Sequence, residues 1–345
     1  MISVEITTIQ RTLIEICLLR GLSAQEADFI TEDYLDAEMR GIRTHGLIKF
    51  LALDNQIKAR EGKPKIIQDL PLMAMVDGQR ELGPLAARYC IDLLLAKMQS
   101  APSAVVGLKN ASRYGSLAPY GRQIAAQGLI GLIINSAGPA NVAPFGSYAP
   151  VLGTNAFCMA IPSTDPEPII MDFATAESPW SKTILATMEG HDLPPHTYYR
   201  KDGTDAVAPQ EANAVRAFGG AKGYGLGLAI QIMCGAFLGT PMGSAFESEY
   251  DLGVMFIAFN PSMFRSDPEG FYSEVSVLAD EIRNAPPNTE SDQVRLPGDR
   301  SNKAKESNQQ AGILELDPRL WDVLYRMSTD PTARLAPAKE SGTST

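Results

Sequence analysis

Among the three histidines of this chain, one stands where proton chemistry is plausible: Arg40-Gly41-Ile42-Arg43-Thr44-His45-Gly46-Leu47. Imidazole is the one side chain whose ordinary pKa lets it give and take protons near neutral pH. Here it sits between a hydroxyl residue and a glycine that leaves room for a ligand. A capping or surface role would fit the same residue at a helix boundary, so the choice rests on the rest of the chain. The run Ile169-Ile170-Met171-Asp172-Phe173-Ala174-Thr175-Ala176 reads as an apolar strand ending in a carboxylate. Asp172 at a strand end either caps a turn or helix, or faces His45. In the second case it would raise the histidine pKa and hold the ring, as general acid–base work needs.

Two further segments suit anions. Gly219-Gly220-Ala221-Lys222-Gly223-Tyr224-Gly225-Leu226-Gly227 leads into a helix, where bare backbone amides and one lysine suit phosphate. Close helix packing would call for the same glycines but not for Lys222. Asn110-Ala111-Ser112-Arg113-Tyr114-Gly115 and Gly153-Thr154-Asn155 are polar loops after strands, a common place for ligands. Arg113 has the fork to grip a carboxylate, or it is a solvated surface residue. No G-x-G-x-x-G follows a strand, so the usual dinucleotide fold is not expected. A hydrolase finds no support: G-x-S-x-G is absent, and His191 and His196 flank a proline-containing loop.

The elements that must position these groups change character along the chain. Ile9, Leu13, Ile16, Cys17 and Leu19 give a helical apolar face that stops at Gly21. Ser23 and Glu26 have capping-box spacing and open a second helix to about Met39; Leu47, Phe50, Leu51 and Leu53 suggest a third. Gly62, Pro64 and Pro71 lead out of this helical module. Strands are expected at 73–76, 104–108, 129–135, 157–161, 169–171 and 254–259, with helices at 83–99 and 224–237. Helices between strands imply an α/β layer with a mixed sheet. Residues 286–312 are polar and carry little core, Leu314 to Met327 reads as a last apolar helix, and 329–345 reads as a disordered tail.

Composition sets outer limits. With 345 residues, 45% apolar and 20% charged, the chain is an ordinary globular protein of one or two domains. A net charge of −10, with no basic stripe, argues against nucleic acid and against a membrane surface. Cys17, Cys90, Cys158 and Cys234 lie far apart without ligand spacing, so neither a metal site nor a disulfide framework is expected. The first residues lack a basic stretch followed by an apolar one, and no long apolar run occurs, so the expected compartment is the cytoplasm.

Taken together and in order, Arg40 to Gly46, Gly146, Gly153 to Asn155, Met171 to Thr175, Gly219 to Leu226 and Pro297 to Arg300 resemble the malate/L-lactate dehydrogenase-like oxidoreductases. This non-Rossmann group includes sulfolactate and ureidoglycolate dehydrogenases, diketogulonate reductase and piperideine-2-carboxylate reductases. The resemblance spans about Ile9 to Met327. It implies a homodimer and an α/β fold of two parts. A helical module (1–70) packs with C-terminal segments (286–328), and a mixed-sheet domain (71–285) binds NADH or NADPH. It implies His45 as proton donor, with cofactor contacts at Met171, Asp172, Phe173, Ala174, Thr175, Ala221, Lys222, Gly298, Asp299 and Arg300.

Departures from the family pattern cluster around the expected substrate pocket. Thr44 replaces the serine before the histidine, and Lys49 replaces an arginine. A lysine is a point charge and lacks the fork. Arg113 stands where the family has a histidine, Ala156 where it has a proline after G-T-N, and Ala176 where it has a serine. The carboxylate clamp is then expected either at Lys49 or moved from position 49 to Arg113.

The expected activity is therefore hydride transfer to the carbon beside a carboxylate in a 2-oxo acid. His45 and Asp172 are the catalytic pair, and Thr44, Lys49, Arg113 and Thr154 contact substrate. Two alternatives are a cyclic imino acid reductase and a catalytically silent nucleotide-binding protein on the same scaffold.

Overall fold

A computed structural model describes residues 1–333. The chain opens with β1 (Ile2–Glu5), α1 (Ile6–Leu19) and α2 (Ala24–Met39). The capping box at α2 forms: Ser23 Oγ accepts from the Glu26 N–H, and Glu26 reaches back to the Ser23 N–H. The third expected helix is split. Two 3₁₀ turns, Arg43–His45 and Leu47–Ala52, precede a short α3 (Leu53–Lys58).

Next come β2 (Lys65–Leu70), β3 (Met73–Asp77), α4 (Gly83–Met98), β4 (Ser103–Lys109), α5 (Ala118–Ala125), β5 (Ile130–Ser136), β6 (Val142–Ala143), β7 (Ala156–Ile161) and β8 (Ile169–Ala174). They are followed by α6 (Ser181–Glu189), β9 (Tyr198–Tyr199), β10 (Asp205–Ala206), β11 (Ala214–Arg216), α7 (Ala221–Cys234), β12 (Gly253–Phe259) and α8 (Pro268–Arg283). The chain closes with α9 (Asp299–Ala311), β13 (Ile313–Leu316) and α10 (Pro318–Met327).

The main sheet runs β2-β3-β4-β12-β5-β7-β8. Only β3–β4 is parallel among its pairings, which makes it mixed as expected. Side chains alternate across it. Ile133 and Phe256 face α4 and α5, in one core with Cys90, Leu94 and Ile124. Their neighbours Ile134 and Met255 face α7, against Ile230 and Cys234. All four cysteines are buried free thiols. A smaller sheet, β10-β9-β11-β6, joins three strands from after β8 to β6 from before it, and carries Tyr198 and Val215 at its core.

β1 pairs antiparallel with β13, and Ile9, Leu13 and Ile16 of α1 share a core with Leu320, Val323 and Leu324 of α10. The first and last segments are thus packed together. One expectation here needs correction. Leu314 to Met327 is not one helix: Ile313–Leu316 alternates exposed and buried in register with β1, and the helix starts at Pro318 behind an Asp317 cap. The polar stretch 286–312 holds α9, a helix without a buried residue, so its sequence lacks the apolar periodicity that announces a helix. Of the tail expectation, 334–345 lies outside the described residues, and 329–333 is turn. No helix among the described residues is long and apolar enough to cross a membrane.

Candidate active site

The histidine turn is anchored before it is chemical. Glu38 of α2 is buried, and its Oε2 accepts from the Leu47 N–H at 2.9 Å. A Cβ on Gly46 would overlap that same carboxylate oxygen, so the turn lies directly on α2. Arg43 pairs with Glu189 at the end of α6 at 2.8 Å, and Ser181 Oγ at the start of α6 donates to the Thr44 carbonyl at 3.3 Å. The turn bearing His45 is therefore tied to the segment that follows β8.

His45 is half-buried, and its Nδ1 is paired with Thr44 Oγ1 at 2.9 Å. Asp172 is not its partner. It lies inside β8, where Asp172 Oδ2 accepts from the backbone N–H groups of Leu117 and Ala118 at 2.9 and 2.8 Å. Its capping is thus spent on α5, an earlier helix brought alongside by the sheet. Burial pushes the Asp172 carboxyl up to about 6, against the pull of those two N–H groups and of Arg122. His45 moves the opposite way from the expected carboxylate effect. Burial, and then the Lys49 charge, lower it to about 3.

Lys49 is itself lowered to about 8 by burial and by the neighbouring Arg113 guanidinium, with Glu249 pulling the other way. Arg113 comes from the loop after β4, and its Nη2 donates to the Gly138 carbonyl at 2.6 Å. The same loop approaches His45 closely, since a Cβ on Gly115 would meet the His45 carbonyl at 3.0 Å. Thr44, His45, Lys49 and Arg113 thus form one cluster. It combines a neutral imidazole with two cations, an arrangement suited to a carboxylate next to a group that exchanges a proton.

Thr154, Thr175 and the glycine-rich helix meet just past the C-terminal end of β8. The Thr154 carbonyl accepts from Thr175 N–H at 2.8 Å and from Thr175 Oγ1 at 3.1 Å. A Cβ on Gly227 would sit 2.7 Å from Thr175 Oγ1. Gln231 Oε1 accepts from Gly153 N–H and from Asn155 Nδ2, and Asn155 Nδ2 also donates to the Gly227 carbonyl. Sequence reading passed over Gln231. Its signal was available, as a lone amide on an apolar helix.

The glycines of the 219–227 run divide between two duties. Gly223 and Gly227 pack against Phe218 and Thr175, as close helix contact requires. Gly219 and Gly220 have φ of 55° and 64°, the region that favours glycine, and nothing caps the first turn of α7. That turn presents its amides with an exposed Lys222. Beside it Phe173 leaves 41% of its surface open and stacks edge-on with Phe218. Bare amides, a cation and an open aromatic fit the phosphate and ring portions of a nicotinamide dinucleotide.

A Cβ on Gly298 would meet the backbone N and O of Ile170 at 3.7 and 3.8 Å, at the opposite end of β8 from Thr175. The two ends are separated by about 16 Å at ~3.3 Å per residue. Arg300 is exposed, whereas Asp299 is engaged by Arg283 at 3.1 Å and by the Leu296 N–H. Met171 and Ala174 are half-buried on β8, and Ala221 is exposed at the start of α7. His196, set aside in the sequence, pairs with Asp205 on the small sheet. Among the described residues no group of His, Cys, Asp and Glu is placed to hold a metal ion.

Residues 4–325 match the family model described as malate/L-lactate dehydrogenase. The chain belongs to this family. It is a nicotinamide-dependent oxidoreductase of the α/β, non-Rossmann type. It is 29% identical over 332 residues to the L-sulfolactate dehydrogenase of Methanocaldococcus jannaschii, covering 93% of this chain and 95% of that protein. It is 28% identical over 289 residues to the ureidoglycolate dehydrogenase (NAD(+)) of Escherichia coli O157:H7, covering 81% and 82% respectively. Among solved structures it resembles a dehydrogenase from Sinorhizobium meliloti, with a TM-score of 0.87 at 26% identity over 95% of this chain and 98% of that one.

Proposed function

We propose that this family member interconverts a 2-hydroxy acid and a 2-oxo acid with NADH or NADPH, His45 exchanging the proton. The observation that carries the reading is the single cluster of Thr44, His45, Lys49 and Arg113, assembled from two separate loops. Lys49 and Arg113 bind the substrate carboxylate, and Thr44 orients the imidazole ring through Nδ1. Met171 to Thr175, Ala221, Lys222 and Gly298 to Arg300 would hold the nucleotide, which when bound supplies or accepts the hydride. Asp172 serves as a positioning residue through α5. Thr154 lines the site through its bond to Thr175.

In this reading residues 1–70 with 286–328 form one unit and 71–285 the cofactor-binding unit. A homodimer is supported by the outward side of α7 and the turn after it, where Ile232 is 49% and Phe237 64% exposed. The absence of a spanning helix among the described residues is compatible with a cytoplasmic location.

The low pKa of His45 favours a second reading, reduction of a cyclic imino acid. A protonated imine brings its own proton, so an imidazole that is neutral at pH 7 suffices. One assay covers both readings: purified protein is given NADH or NADPH with a panel of 2-oxo acids and of cyclic imino acids. At least one is reduced, and His45→Ala lowers kcat on a 2-oxo acid by about 10²–10⁴. No turnover of any member with either nucleotide would remove the reading in favour of a silent binding protein.

A further inference from the structure

One buried carboxamide joins the glycine-rich helix to the turn that bears Thr154. Between Leu226 and Cys234, α7 is apolar except for Gln231. An amide buried among hydrocarbon is costly unless it is hydrogen-bonded, and Gln231 turns its carbonyl to the neighbouring turn. Gln231 Oε1 accepts from the Gly153 N–H at 3.2 Å and from Asn155 Nδ2 at 3.0 Å. Asn155 Nδ2 also donates to the Gly227 carbonyl at 2.8 Å, so both of its bonds go to α7. Asn155 is buried with a φ of 43°, in the left-handed region that asparagine tolerates and most side chains avoid.

Thr154 is thereby fixed through the residues on either side of it. Its own carbonyl accepts from the Thr175 N–H and hydroxyl, while its own hydroxyl is bonded to no group among the described residues. A Cβ on Gly153 would overlap the Ala137 carbonyl oxygen, so the turn lies against the segment after β5. The next residue of that segment, Gly138, is the one whose carbonyl accepts from Arg113. The turn therefore lies between the helix whose first turn suits phosphate and the segment that anchors a cation of the His45 cluster.

We propose that Gln231 is a positioning residue of this site. By holding Gly153 and Asn155 it sets the Thr154 hydroxyl against the substrate, without touching substrate or nucleotide itself. This rests on the reading of Thr154 as a substrate contact. A buried amide with a purely structural duty would disturb the nucleotide site and the substrate site together when it is replaced. A positioning amide acts through Thr154, so its replacement matters only while Thr154 has a hydroxyl to place.

The test is a double-mutant cycle on binding. Full-length protein saturated with NADH or NADPH, whichever binds tighter, is titrated calorimetrically with oxamate, shaped like a 2-oxo acid, and with pyrrole-2-carboxylate, shaped like a cyclic imino acid. The wild type binds at least one of them. Gln231→Met keeps the length and loses the acceptor; it weakens that probe by about ten-fold or more while the nucleotide Kd stays within about two-fold. Gln231→Glu keeps an acceptor for both donors and stays within about three-fold of wild type. In a Thr154→Val background, Gln231→Met costs less than about two-fold. The inference is overturned by a wild type that binds neither probe, by a Gln231→Met that binds as wild type does or loses nucleotide affinity in parallel, by a Gln231→Glu as weak as Gln231→Met, or by an equal cost in the Thr154→Val background. Hydride transfer with costs that simply add would overturn this inference alone. The expected cycle without hydride transfer would overturn only the proposed reaction.

Discussion

His45, the proton-transfer group of the proposed reaction, shows how burial and one charged neighbour set the state of an imidazole. Its Nδ1 partner is a hydroxyl, Thr44, which orients the ring without stabilising the imidazolium. A cation, Lys49, stands near it, and burial and that charge hold His45 down at about 3. The free site therefore has a neutral imidazole at pH 7, ready to accept a proton from a hydroxy acid. A bound carboxylate that offsets Lys49 would make protonation easier. Removing the charge should have the same sign as binding the anion. In Lys49→Met the His45 pKa rises from about 3 but stays below 6.5, because burial remains. With only three histidines in the chain, proton–carbon NMR follows each ring, and an unchanged His45 titration would refute the coupling.

At the level of elements, the turn proposed to carry the proton chemistry depends on contact between a 3₁₀ segment and a helix. Gly46 lies against Glu38, which cannot swing away without losing its bond to the buried Leu47 N–H, and the Glu38 Cα is itself 3.1 Å from the Cβ position. Gly46→Ala should cost about 1–3 kcal/mol by overpacking and lower kcat by displacing His45. Urea unfolding reads the first effect and steady-state kinetics the second. A variant as stable and active as wild type would show that the turn does not need this approach. The sequence marked Gly46 as leaving room for a ligand; the room is taken by α2.

The molecule as a whole is joined through a buried acid. Asp33 of α2 meets Tyr120 of α5 at 3.4 Å, where the helical segments lie on the sheet-bearing part. Burial, with the charge of Asp36 adding to it, pushes Asp33 up to about 7 from 3.8. The folded chain thus keeps a proton between about pH 4 and pH 7 that the unfolded chain has lost. Its stabilising contribution is complete below the unfolded value and is lost as pH rises through 7. Asp33→Asn has no such proton to lose. Its stability relative to wild type should climb from pH 4 to pH 7 and then level off, as measured by urea midpoints across that range. A difference that is flat with pH would mean that Asp33 is already ionised in the fold.

The sequence by itself determined the family, the mixed sheet, the capped α2 and the candidate residues, because these depend on local spacing: apolar periodicity, a capping box, motifs in fixed order. It did not determine partners. Asp172 caps α5 instead of touching His45, and Gln231 organises the Gly153 turn from a helix far along the chain. The amphipathic signal was also silent for α9, which buries no residue, and was misleading for β13, whose pairing with β1 joins the two ends of the chain. Such contacts and the pKa values that follow from them are set by burial and by long-range proximity, and these exist only once the chain has packed.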